Sequence, residues 1–313
     1  MRISNIAQLR LLNLPIFSNS EELAQLIHIN PRLLAAFNKD PHKFYRKYRI
    51  IKSDGGFREI RQPRRDLKGV QAWILRNILD KLTPSAYATA YTKGKSIKDN
   101  LDPHVNNRYF ICLDMEDFFP SISIRRVKRI FSLIGYSDGA SSVLAKLCTC
   151  KNNLPQGAVT SPALSNLIAS KLDRRISGYS SKRNITYTRY ADDITLSSNN
   201  PIILRQSLLR ILKIIKSEHF KPNMGKLRVL GPRRRCSITG LVKDSSEARF
   251  GIGKRKKRQI RAIMHHLVFK SDNDNRYKDE ESIYGWLEYL HSVDRQSFDQ
   301  MNVYLDRLIN KAT

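Results

Sequence analysis

"YTRYADDITLS", residues 187–197, sets two adjacent aspartates between arms of strand-forming residues, and its reading decides the fold. Tyr187, Arg189 and Ala191 alternate with Thr188 and Tyr190, and Ile194, Thr195 and Leu196 resume the run. This pattern predicts a tight hairpin carrying Asp192 and Asp193. Like charges side by side are unfavourable unless a cation offsets them, so the stretch alone reads either as a solvated turn or as a metal site.

Working outward, "NNRYFICLDMEDFFPSI" (106–122) supplies a second acidic cluster. Tyr109, Ile111 and Leu113 alternate in a strand that ends at Asp114. If the two strands pair, Asp114, Asp192 and Asp193 become neighbours. Such a cluster can hold two divalent ions about 4 Å apart, one activating an attacking hydroxyl and the other stabilising a leaving oxygen. Magnesium suits an all-oxygen donor set that leaves room for waters and phosphates.

Composition supplies the context. Lys and Arg number 56 against 28 acidic residues, so a charge of +28 must face something anionic: nucleic acid, an acidic membrane surface or an acidic partner. At 41% hydrophobic residues the chain can bury a core, which excludes a disordered basic tail. No apolar run reaches membrane-spanning length and no secretory leader is visible, so a cytoplasmic protein without membrane contact is expected. Cys112, Cys148, Cys150 and Cys236 form no CxxC pair, which argues against structural zinc and a disulfide framework, and His265 and His266, beside a basic helix, read as surface, core or phosphate-facing residues rather than a metal site.

Along the chain, a mostly helical opening to about residue 47 precedes two strands turning at Asp54, Gly55 and Gly56. "LKGVQAWILRNILDKL" (67–82) is an amphipathic helix, and further helices follow Ser123, Ser161-Pro162 and Asn200-Pro201. Short strands fill 226–253, and helices return from Lys254, at 281–290 and at 298–309. The expected class is α+β, helices backing an antiparallel sheet, with a boundary near residue 240.

In this order the motifs resemble those of the bacterial retron reverse transcriptases, RNA-directed DNA polymerases. "YADD" (190–193) resembles the catalytic box, "LDMEDFFPS" (113–121) the box with the first metal aspartate, and "LPQG" (154–157) the substrate-positioning box. "FREIRQP" (57–63), "NLDPH" (100–104) and "ITGL" (238–241) continue the likeness; Tyr91 stands where relatives often carry phenylalanine. The resemblance implies a right hand: N-terminal helices and fingers in 1–104, palm in 105–150, a fingers/palm junction in 151–180, palm again in 181–240 and a helical thumb in 241–313.

It also implies roles. Asp114, Asp192 and Asp193 would be catalytic and hold two magnesium ions, Asp193 more weakly, the alternative for Asp193 being a solvated turn residue. Phe119 would be the steric gate against a 2′-hydroxyl, with Phe118 the core plug. Gln156 would touch the nucleotide, and Gly157 would permit close backbone approach. Arg58 would lie over the triphosphate of the incoming deoxynucleotide, with Arg61 or Lys52 sharing that role; Lys226 would stand near the triphosphate or support the palm. Thr239, Gly240 and Leu241 would grip the primer. Lys254, Arg255, Lys256, Lys257, Arg258 and Arg261, uninterrupted by acid, would present cations to an RNA or hybrid backbone while Ile260, Ile263 and Leu267 pack inward. RNA selectivity would come from the thumb and the "NLDPH" region.

Partners implied by the resemblance are a dedicated structured noncoding RNA, primed at a guanosine 2′-hydroxyl to give branched RNA–DNA, a host ribonuclease H, and a neighbouring effector in antiphage defence. With the chain ending at Thr313, no appended ribonuclease H, endonuclease or maturase extension is expected. Three alternatives stay open: a group II intron-like or diversity-generating reverse transcriptase, an RNA-dependent RNA polymerase, and a noncatalytic RNA-binding scaffold.

Overall fold

The computed structural model describes residues 5–51, 55–244, 249–269 and 273–312; Lys52 and Asp54 lie outside them. Three short helices, α1 (Ile6–Leu11), α2 (Ser20–Leu26) and α3 (Pro31–Lys39), open the chain, each capped by an asparagine whose side chain accepts an early backbone N–H. The helical opening ends sooner than the sequence suggests. Tyr- and Ile-rich β1 (Tyr45–Ile51) pairs along its whole length with β2 (Phe57–Pro63), because its β-forming residues find a partner strand just beyond the glycine turn. α4 (Arg65–Asn77) follows, burying Leu67, Val70 and Ile74.

After α5 (Ile97–Leu101) comes β3 (Tyr109–Glu116), the central strand. α6 (Ile124–Leu133), α7 (Asp138–Cys148) and α8 (Ser161–Ser181) lead to the hairpin of β4 (Thr186–Tyr190) and β5 (Asp193–Ser198), then α9 (Pro201–Ser217), β6 (Lys221–Pro222) and β7 (Arg228–Leu230). The sheet order is β4-β5-β3-β6, with β7 also on β3, and every pairing is antiparallel. A second sheet joins β8 (Ser237–Ile238), β9 (Leu241–Lys243) and β10 (Phe250–Gly251), so the boundary expected near 240 falls at a hairpin tip. α10 (Lys254–Phe269), α11 (Asn273–Val293) and α12 (Arg295–Ala312) close the chain.

Strand periodicity allots β3 to two cores. Ile111, Leu113 and Met115 join the large core under α6 to α9, while Phe110 and Cys112 join a second core with Ile260, Met264, Leu290 and Met301 of the last helices. Cys148 and Cys150 are buried at the end of α7, and all four cysteines are free thiols. No described helix is long and apolar enough to cross a membrane.

Candidate active site

Asp114 lies opposite Asp193 in the β3–β5 register, so both side chains share the sheet face that carries Phe110, Cys112, Thr195 and Ser197. Asp192 occupies the two-residue loop between Tyr190 and Asp193, its carbonyl accepting from Met115 N at 3.1 Å. Ala191, the other loop residue, has φ +57°, the left-handed conformation a two-residue hairpin demands and glycine usually supplies. The predicted hairpin is therefore present, with Asp192 at its tip and Asp193 at the head of β5.

Asp193 is pushed up to about 6 by burial first, then by the charges of Asp192 and Asp114. Burial also raises Asp192, and Asp114 adds to it. The cation answering this cluster is Lys226, whose Nζ lies 3.0 Å from Asp114 Oδ2. Asn223 adds a backbone bond of 2.7 Å to the Asp114 carbonyl and a side-chain bond of 3.4 Å to its carboxylate. Among the described residues, no three His, Cys, Asp or Glu side chains are drawn close enough to hold an ion in this arrangement. The donor set nevertheless fits a hard divalent cation: the carboxylates of Asp114 and Asp193 share one sheet face with Asp192 beside them in the loop, and Asp192 and Asp193 are raised by burial first and then by neighbouring carboxylate charge that added positive charge would offset.

Behind the hairpin, the opposite parity places Arg189 against α8. Its fully buried guanidinium pairs bidentately with Asp173 at 2.7 and 2.8 Å, and donates to Asn166 and to the Ala191 carbonyl; the Tyr187 hydroxyl donates to Asp173 at 2.6 Å. This network grips the strained loop residue from behind. Sequence reading took Arg189 as one more alternating residue; the signal was an arginine on the apolar-facing parity of a buried strand.

In front, "NLDPH" is structural. His104 is fully buried, its ring nitrogens 2.6 Å from Ser197 Oγ and 2.9 Å from Thr188 Oγ1, and the buried Asn100 carbonyl accepts from Thr188 Oγ1. The expectation that this segment reads RNA is corrected for these two residues: both pack against Thr188 on the sheet face that carries Asp114 and Asp193, and neither reaches solvent.

The two phenylalanines differ in burial. Phe118 is buried and stacks on Phe220 with centroids 5.5 Å apart, whereas Phe119 is half-buried beside exposed Tyr91, 6.3 Å between centroids. Tyr91, overlooked as a site residue, is raised by burial and then by Asp192. Arg58 is exposed, and its charge reaches both Tyr91 and Asp192.

Arg61 does not share that position. Its guanidinium lies 2.7 Å from Glu59, and its backbone N–H donates to the Gln156 carbonyl at 2.8 Å. Gln156 is half-buried, and next to it Gly157 has φ +111°, where a Cβ would come within 2.8 Å of Ile60. The close approach this glycine permits is thus to β2, binding the "LPQG" turn to the β1–β2 hairpin.

Thr239 and Gly240 form the two-residue tip between β8 and β9, both at positive φ, +46° and +87°. A β-branched residue there is strained, and the Thr239 hydroxyl is buried without a partner. Leu241 is buried in the second core.

On α10, Ile260 and Met264 face inward, with Ile263 and Leu267 packed beside them. Lys256 lies over the Trp286 ring at 4.1 Å, Lys257 bonds Gln300 at 3.3 Å, and Arg261 lies over Tyr304 at 5.4 Å. Lys254, Arg255, Arg258 and Arg261 are exposed, while Lys256 and Lys257 are half-buried, so four of the six predicted cations stand on the open basic face.

A family model described as reverse transcriptase (RNA-dependent DNA polymerase) matches residues 50–250. The chain is 39% identical over 309 residues to retron Ec86 reverse transcriptase of Escherichia coli, covering 98% of this chain and 94% of that protein. It is 30% identical over 288 residues to retron Mx65 reverse transcriptase of Myxococcus xanthus, covering 85% and 67%. Telomerase from Candida albicans, solved with a fragment of telomeric RNA, superposes with a TM-score of 0.50 at 12% identity, over 90% of this chain and 63% of that one; this likeness shows the shared right-hand polymerase fold. With the motif order, the fold and near-complete coverage in agreement, the chain belongs to the reverse transcriptases, RNA-directed DNA polymerases, and among them to the bacterial retron enzymes.

Proposed function

We propose that Asp114, Asp192 and Asp193 form the polymerase centre, extending a primer with deoxynucleotides along an RNA template. One observation carries this reading: Asp114 and Asp193 stand opposite each other on paired strands with Asp192 beside them in the loop, and the Lys226 ammonium is paired to Asp114. The residues that would hold two magnesium ions are Asp114 and Asp192, with Asp193 in support. Bound there, magnesium supplies Lewis-acid activation of the 3′-hydroxyl and neutralises charge on the phosphoryl oxygens.

The chain's own groups do the positioning. Arg58 reaches over the hairpin toward the triphosphate, and a guanidinium fork suits phosphate oxygens. Phe119 stands at the ribose and excludes a 2′-hydroxyl, with Tyr91 packed beside it. Lys226 leaves Asp114 for the phosphate charge, Gln156 orients the nucleotide, and the Thr239–Leu241 hairpin holds the primer end. Fingers in 1–104, palm in 105–150 and 181–240, their junction in 151–180 and thumb in 241–313 are the division this assignment uses.

Kinship with retron enzymes supports the finer reading. The RNA is a dedicated structured noncoding RNA, synthesis starts from a guanosine 2′-hydroxyl, and the product is branched RNA–DNA made in the cytoplasm. A host ribonuclease H trims the template, and an effector encoded nearby acts in antiphage defence.

The test is copurification of the protein with its nucleic acid, sequenced before and after debranching enzyme. A short DNA joined 2′–5′ to RNA is expected; bound RNA with no linked DNA, despite magnesium and deoxynucleotides, would overturn the retron reading. Asp192→Asn should abolish extension while RNA binding persists, as the basic surface is untouched; residual extension near the wild-type rate would remove Asp192 from the centre.

A further inference from the structure

At the opposite end of β3 from Asp114, about 20 Å away at a rise of ~3.4 Å per residue, a second group of cations surrounds open space. Two cavities of about 650 and 460 Å³ adjoin there, sharing Arg108, Gly231, Pro232, Arg233 and Arg234 in their walls. Arg205, from the first turns of α9, closes one, and Lys243 lines the other. Arg108, Arg205, Arg233 and Arg234 are all exposed, none makes an ion pair with a described residue, and the first turn of α9 holds no acid. The one acidic group in the walls, Asp244, faces Arg249 at 3.7 Å.

Four guanidiniums with no ion pair to a described residue, gathered around two adjoining cavities, repel one another. Lys243 registers the crowding: it is lowered by burial first, and the charge of Arg108 lowers it further. Among the described residues, no acidic partner holds these groups together. The backbone does so, because Arg233 and Arg234 sit on the short link between β7 and β8, where Gly231 packs against the Tyr109 ring. A surface built this way is complementary to a ligand bearing several negative charges in a row.

We propose that this arginine cleft is a second nucleic-acid site, which clasps the phosphate backbone of a folded RNA outside the polymerase cleft. The proposal rests on the reading of the chain as an enzyme that keeps its RNA bound. Guanidinium forks match phosphate oxygens, and the two joined cavities extend along a line of cations rather than closing around a single anion. Contacts of this kind fix an RNA's placement without reading its sequence. The RNA would then be held at both ends of β3, template in the cleft and a folded stem behind it.

The experiment uses the full chain with its cleft preloaded with poly(rA)/oligo(dT), then titrates a labelled hairpin RNA at several salt concentrations. Wild type should bind the hairpin. A variant combining Arg108→Gln, Arg205→Gln, Arg233→Gln and Arg234→Gln should lose at least about tenfold in affinity, with a log–log salt slope shallower by roughly 2 to 3. Extension of poly(rA)/oligo(dT) should be unchanged in that variant. Equal hairpin affinity and slope in the two proteins would overturn the proposal. So would a loss for poly-glutamate or for phosphatidylglycerol vesicles as large as the loss for RNA, which would mark the cleft as a docking surface for acidic protein or membrane. Failure of wild type to extend poly(rA)/oligo(dT) with magnesium and dTTP would sink the polymerase reading instead, and the hairpin titration would still report on the cleft.

Discussion

Phe119 and Thr239 show what single residues do here that their neighbours cannot. Successive residues of an extended segment face opposite ways, so Phe118 fills the core and Phe119 is left half-buried beside Tyr91. Phe119→Val should relax discrimination against ribonucleotides by on the order of tenfold or more, read as the ratio of kcat/KM for deoxy- and ribonucleotides; unchanged discrimination would end its assignment as the gate. Thr239 combines a left-handed backbone with a buried, unpartnered hydroxyl, two costs the fold carries without local return. Thr239→Asn, better suited to that conformation, should stabilise the protein by about 1 kcal/mol in urea denaturation while weakening primer extension. A variant that gains stability with full extension would show that the strain is idle.

At the scale of the element, the β4–β5 hairpin is held from both faces by buried polar groups. Arg189 behind it links Asp173, Asn166 and the Ala191 carbonyl. Removing one partner of such a pair leaves a buried charge alone, so Arg189→Met should cost about 3 to 5 kcal/mol, measured by chemical denaturation. On the front, His104 is lowered to about 3, by burial first and then by the charge of Lys243; its ring meets Thr188 and Ser197 hydroxyls. A histidine whose folded value lies below its unfolded 6.5 is neutral in the fold and takes up a proton on unfolding. Its contribution is present above pH 6.5 and lost as pH falls from there toward 3. Between pH 7 and 5 the loss should be about 2 kcal/mol. His104→Gln should flatten that part of the stability curve, and an unaltered slope would show that other groups set it.

For the whole molecule, the charge of +28 is distributed over more than one surface, and this limits what the sequence alone discloses. The aspartate hairpin, the strand with Asp114 and the helical close were legible because each follows from local periodicity and an ordered motif set. The asparagine and histidine of "NLDPH" were legible as a signature but not as a role, since burial against β4 and β5 depends on tertiary packing. Arg189 escaped notice for the same reason, and so did the arginines of "GPRRRC" (231–236), whose neighbours Arg108 and Arg205 arrive from distant parts of the chain. On α10 the run of cations was plain, yet which of them turn toward α11 and α12 is decided by the positions of Trp286, Gln300 and Tyr304.

β3 is a wall common to both cores and pairs with strands made much later, β5, β6 and β7. On the ribosome, at about 5 to 20 residues per second, roughly ten seconds pass between the emergence of β3 and the synthesis of β7. Until β5 is made both edges of this apolar strand are unpaired, and until β6 and β7 are made one edge still is. The segment bearing the first aspartate of the polymerase is therefore also the one most in need of a chaperone's shelter during synthesis.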